Sequence, residues 1–252
     1  MYAATTEAVV AQLDRIIADC AHSENPLGYF AALYRRVTMQ VRADIAAGVF
    51  DDGARMEQFD VVFANRYLAA YAAYETQTHA TASWQYAFES STNGWLTVLQ
   101  HLLLGMNAHI NLDLGIAAEE VSRNADIEAL HTDFDRINAI LESLVSEVEA
   151  RLEAIFPMLF WMLKATGQAD TFLVKFSIET ARDGAWAFAK TLAALPEEGR
   201  AAAIVARDGR ITEIGLLVTQ PGAMVSTIFK AVRVFERGTV AERIQVLAAT
   251  LA

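Results

Sequence analysis

Residues 101–114 read HLLLGMNAHINLDL, and in the second half of that stretch polar and apolar positions alternate: Asn107, His109, Asn111 and Asp113 against Ala108, Ile110, Leu112 and Leu114. Alternation of this kind is the pattern of a half-buried strand. The flanks point elsewhere. Leu96–Gly105 and Ile116–Val121 keep helical periodicity and no turn residues bracket a strand, so residues 95–118 read as one strongly apolar helix. At about 100° per residue the alternation becomes two pairs, His109 with Asp113 and Asn107 with Asn111, set about 160° apart around the axis. His101 lies two turns before His109, and Gly105 between them leaves room for a close neighbour or a ligand.

The rest of the chain agrees with a helical reading. Val9, Val10, Leu13, Ile16 and Ile17 give residues 3–21 one apolar face, and Pro26 after a polar cap starts a second helix through Phe30, Tyr34, Val37 and Val41. A third carries Met56, Phe59, Phe63, Tyr67 and Tyr71; a short segment surrounds Trp84–Phe88. The longest amphipathic pattern is 126–153, with Ile127, Leu130, Phe134, Ile137, Leu141, Leu144, Val148 and Leu152 on one stripe. Pro157 is expected to kink or restart the chain, and residues 170–194 give a further helix ended by Pro196. Two more helices follow, separated by Pro221-Gly222. In Ala203–Val218 the run Arg207-Asp208-Gly209-Arg210 suits either a hairpin turn or a continued helix, and its helical surroundings favour the helix. The expected fold class is all-α: a single bundle-like domain over residues 1–252 of about nine or ten helices, with 197–252 as a candidate C-terminal subdomain.

Composition supports this reading and narrows the function. Of 252 residues, 54% are hydrophobic and 20% charged, enough apolar material for a core and inconsistent with disorder. A net charge of −11 repels phosphate backbones, so no nucleic-acid partner is expected. One cysteine, Cys20, allows neither an intramolecular disulfide nor a cysteine zinc site; without a base nearby it reads as an inert buried thiol. Residues 1–20 have no basic start and no uninterrupted apolar run, and no stretch reaches the length of a membrane span. A cytoplasmic protein is expected; an oligomer is compatible with the sequence. Dinucleotide, P-loop, metalloprotease, hydrolase-elbow, EF-hand and paired di-iron patterns are all absent.

The chemistry concentrates on the 101–114 helix. An apolar helix is buried, and each unpaired imidazole or amide within it costs roughly 1–3 kcal/mol, so partners must exist. His109 and Asp113, with His101 as a third contributor, suit a divalent metal, zinc or iron. Without a metal, the same pair makes a general base oriented by a carboxylate, with Asn107 or Asn111 positioning substrate. A buried polar network that fixes helix register is the third account. Arg182, four residues before Trp186 on an alanine-rich helix, suits an anchor for a substrate carboxylate or for Asp113, or a pair with Glu179 or Asp183. Asp133 and Asn138 read either as facing His109 across a helix pair or, for Asp133, as pairing with Arg136. Arg66, Trp84 and Trp186 complete the expected pocket.

Asn65-Arg66-Tyr67-Leu68, Ser83-Trp84, HLLLGMNAHINLDLG from His101 to Gly115, Asp133-Phe134 with Ile137-Asn138, and Ala181-Arg182 with Trp186 together resemble an all-helical bacterial family, a domain of unknown function. The resemblance spans roughly residues 60–190 and implies that the polar helix is the functional feature; it carries no established activity. The chain is more weakly similar to helical zinc phospholipases C and nucleases, which also place His-x3-Asp on core helices, but it lacks their run of further histidines. The expected function is a small-molecule enzyme, a hydrolase or a lyase or cyclase, using acid–base or metal-assisted chemistry. The alternative is a non-catalytic binding protein for a hydrophobic ligand.

Overall fold

A computed structural model describes residues 2–123, 125–157 and 178–249. It has ten helices and no strand among the described residues. Part of the apolar stretch Ile155–Leu163 and the start of the helix expected over 170–194 lie outside them. Helix α1 (Thr6–His22) buries Val9, Leu13 and Ile16, and the Thr5 hydroxyl caps it by accepting from the Ala8 N–H. After Pro26 comes α2 (Leu27–Ala46); Asp52 caps α3 (Gly53–Glu75) by accepting from Arg55 N–H. Next is α4 (Ala82–Glu89). The continuous rod α5 is built from Val98–Ala108, a π turn at His109–Asp113 and Leu114–Ser122, opened by a reciprocal capping box between Thr97 and Gln100. Behind it run α6 (His131–Ile155), α7 (Ile178–Ala193), α8 (Glu197–Thr219), α9 (Ala223–Phe235) and α10 (Val240–Ala248). Among the described residues, no helix is long and apolar enough to cross a membrane.

The stretch that allowed a hairpin at 203–218 is helical, inside α8. Its polar residues are long-range clamps instead of a turn. The Asp208 carboxylate accepts from the Ala82 and Ser83 N–H groups at 2.6 and 2.9 Å and so caps α4 from another helix, while Arg207 Nε donates to the Asn111 carbonyl at 3.0 Å.

Helices α2, α3, α4, α7 and α8 pack around α5. Two glycines make the approach close. A Cβ on Gly105 would lie 2.5 Å from the Phe30 ring, so the space there belongs to a side chain of α2. A Cβ on Gly115 would lie 2.7 Å from the Ala185 carbonyl oxygen, so α7 rests directly on the rod's backbone. One apolar cluster extends from Ala3 and Val9 through Leu102 and Leu104 to Leu247, and a second joins Val41, Phe59, Phe134 and Trp186.

Candidate active site

Asp113 is the centre of the polar interior. It is 1% exposed, and its two carboxylate oxygens accept from different helices: Oδ1 from Arg66 Nε at 2.7 Å, Oδ2 from the Trp84 indole N–H at 2.7 Å. Oδ2 also faces His109 Nδ1 at 3.5 Å. Burial pushes the Asp113 carboxyl up, but Arg66, His109 and Trp84 together hold it below the ordinary carboxylate value. It is an anion at neutral pH, held by one cation and one neutral donor.

His109 is 2% exposed and packed among rings. It stacks on Phe63 with centroids 3.6 Å apart and planes 8° from parallel, and Tyr34 meets it edge-on at 4.4 Å. Burial is the main influence on its pKa and lowers it; Asp113 opposes that without reversing it, so the imidazole is neutral at neutral pH. A carboxylate only accepts, so the nitrogen facing it carries the proton and Nε2 is left with its lone pair. That Nε2 is buried and has no hydrogen-bond partner among the described residues. His109 and Asp113 stand at the two ends of the π turn.

His109 lines a cavity of about 240 Å³ between α2, α3, α5 and α6, with Ile178 and Arg182 of α7 also in its lining. Almost all the lining is apolar, including Leu103, Met106, Ile137, Leu141 and Leu144. Leu141, Leu144 and Val148 belong to the long stripe of α6; half-buried, they pack against the core clusters and also line this hollow. The polar groups on the wall are His109, Tyr34, Arg182 and Glu149.

The remaining expected residues separate into those the fold brings to this site and those it does not. Arg66 and Trp84 belong to it, but as the hydrogen-bonding partners of Asp113, not as walls. Arg182 reaches the cavity and does not pair with Asp113, Glu179 or Asp183; Asn138, expected in the pocket, instead accepts from Arg182 Nε behind the wall. His101 is not gathered with His109 and Asp113. Two helical turns place it about 12 Å back along the axis, and the Phe30 ring fills the notch at Gly105 between them. It sits under Tyr29 instead, and burial lowers its pKa to about 4. Among the described residues, no three His, Cys, Asp or Glu side chains meet as metal ligands, so the expected zinc or iron triad is not assembled.

Asn107 and Asn111 are not among the residues lining the cavity. Asn107 Nδ2 donates to the Ile211 carbonyl at 2.8 Å and Asn111 Nδ2 to Asn107 Oδ1 at 3.1 Å, which ties α5 to α8. Asp133 turns away from His109: it accepts from the Asp51 and Asp52 N–H groups at 2.8 and 2.9 Å and from Arg136. Trp186 stacks on His131, packs tilted against Phe134 and does not line the cavity. Sequence reasoning passed over Phe63 and Tyr34, which hold the imidazole. Their signal was the aromatic i,i+4 spacing Phe30–Tyr34 and Phe63–Tyr67 on two successive helices, which reads equally as core.

Fold and site together define an all-helical protein with a buried carboxylate–imidazole pair opening on an apolar cavity. The chain belongs to the family of unknown function DUF5995, whose model matches residues 6–221, beyond the 60–190 stretch on both sides. No curated protein and no solved structure matches the chain.

Proposed function

We propose that this protein is a small-molecule enzyme of acid–base type, with His109 as the base, Asp113 as the group that fixes its tautomer, and the apolar cavity as the substrate site. The observation that carries the reading is that His109 lines the cavity and its buried Nε2 has no hydrogen-bond partner among the described residues. A buried acceptor left unsatisfied costs about 1–3 kcal/mol, a loss that a ligand proton at that nitrogen would relieve. The described lining contains no serine, threonine or cysteine, so the chemistry assigned is proton removal by a neutral imidazole, from substrate or from a water beside it. Arg66 keeps Asp113 ionised, and Asp113 in turn stabilises the imidazolium formed when Nε2 takes the proton.

The test is exchange and conversion. The purified protein is incubated in D2O with a library of apolar small molecules, and mass spectrometry follows deuterium uptake or conversion. A substrate turned over by the wild type and slowed about 10²–10⁴-fold in His109→Phe would support the reading. The second reading, a carrier for a hydrophobic ligand, draws on the almost wholly apolar lining. A compound that binds and is recovered unchanged and undeuterated, with His109→Phe binding it as well, would favour the carrier and remove the enzyme.

A further inference from the structure

Arg182 is a buried cation with no buried anion paired to it among the described residues. It is 3% exposed, and burial pulls its pKa down to about 10, so it remains charged at neutral pH. Its Nε donates to Asn138 Oδ1 and one Nη to the Phe134 carbonyl, and the guanidinium lies over the Phe134 ring, 4.3 Å from the centroid. Those partners are neutral. No carboxylate reaches it within ion-pair distance among the described residues; Asp135 and Asp183 act only from farther away. A charge taken out of water is costly unless it is paired. Two neutral hydrogen bonds and a ring face hold the guanidinium in one orientation but do not neutralise it. On the cavity side its neighbours are Ile178 and the half-buried leucines of α6, with His109 elsewhere on the same wall. Glu149 is the one carboxylate among the described lining residues, and it is exposed, where water screens it.

We propose that the counter-ion of Arg182 arrives with the ligand: the cavity takes an amphiphile bearing a single carboxylate, its head on Arg182 and its apolar body among Leu103, Met106, Leu141 and Leu144. The inference rests on the reading of this cavity as a ligand site, and it names the chemical class of what enters. A planar guanidinium already fixed from behind presents its remaining N–H donors as a fork, the geometry a carboxylate accepts. The size of the hollow suits a medium-length chain.

The test uses the wild-type protein first. Nile red, a neutral apolar fluorophore, is bound and then displaced at neutral pH by decanoate, decanol or decylamine, molecules that differ only in the head. Decanoate is expected to displace it about 10- to 100-fold more tightly than decanol, with decylamine weakest. In Arg182→Met the advantage of decanoate should vanish while decanol is held as before. Equal displacement by decanoate and decanol in the wild type would overturn the carboxylate inference and leave the cavity reading standing. If neither Nile red nor any of the three binds, the cavity reading itself fails. The wild-type series decides even if the variant does not fold, and Arg182→Lys, which keeps the charge but not the fork, should retain only part of the decanoate preference.

Discussion

The rod α5 carries polar pairs on opposite sides, and they are treated oppositely. On the side facing α8, Asn107 and Asn111 are closed into a chain: Asn111 donates to Asn107, Asn107 to the Ile211 carbonyl, and Arg207 to the Asn111 carbonyl. On the side facing α2 and α3, Asp113 is fully engaged, but His109, which lines the cavity, keeps one nitrogen without a partner among the described residues. Buried polar groups are expensive in either case. The closed pair is therefore architecture, locking the register of two helices, and the open one is where the protein can still form a bond.

That contrast can be broken or sharpened by substitution. The largest effect is expected from Asp113→Ala, which strands Arg66, the Trp84 indole N–H and His109 Nδ1 at once; unfolding in urea should show a loss of about 3–5 kcal/mol. Next comes the pH dependence set by His101, whose folded pKa of about 4 lies below its ordinary 6.5. The unfolded chain takes up that proton first, so the contribution is complete above about pH 6.5 and is lost as pH falls towards 4, by roughly 3 kcal/mol. Urea midpoints compared across that window should show the wild type falling relative to His101→Phe as pH drops from about 6.5 towards 4; parallel curves would mean His101 is hydrated when folded. His109 is shifted in the same direction and adds to the slope that remains.

On the closed side, Asn107→Ala should cost about 1–2 kcal/mol of stability and leave Nile red binding untouched. A loss of ligand binding there would erase the distinction between the two sides. The smallest effect belongs to His109→Phe, which keeps a ring against Phe63 and removes the Nε2 that has no partner among the described residues together with the long 3.5 Å contact of Nδ1 to Asp113; stability should stay within about 1 kcal/mol of wild type while any turnover disappears. A loss above 3 kcal/mol would place His109 with the architecture after all.

The sequence already carried most of the fold. Periodicity placed the helices because each apolar stripe, such as Val9, Leu13 and Ile16, meets a core. The 203–218 segment was harder, since Asp208 and Arg207 look like turn residues until the partners they clamp, more than 90 positions away, are in place. Of the site, the His109–Asp113 pair was legible from spacing and from the cost of burying it. Its cation was not. Arg66 and Arg182 are both arginines on helices far from Asp113 in sequence, and only the packing of α3 and α7 against α5 decides which one reaches it. His101 drew attention by type and spacing, yet a single glycine admitted Phe30 between it and His109. The stripe of α6 reads as core along its whole length, and periodicity cannot say that its middle borders a hollow.

The π turn in α5 holds one more residue than an α-helical turn would need, and it absorbs that residue locally. Removing one residue there would let the rod become a regular α-helix while its two halves stay close to their present phase, whereas a deletion elsewhere in α5 would swing everything after it by about 100°. Gly115 would then stay under the Ala185 carbonyl and α7 would keep its seat on the rod. A single-codon deletion at Ile110 should therefore spare the fold far more than one in the preceding turns of α5, and what it would change is the spacing of His109 and Asp113.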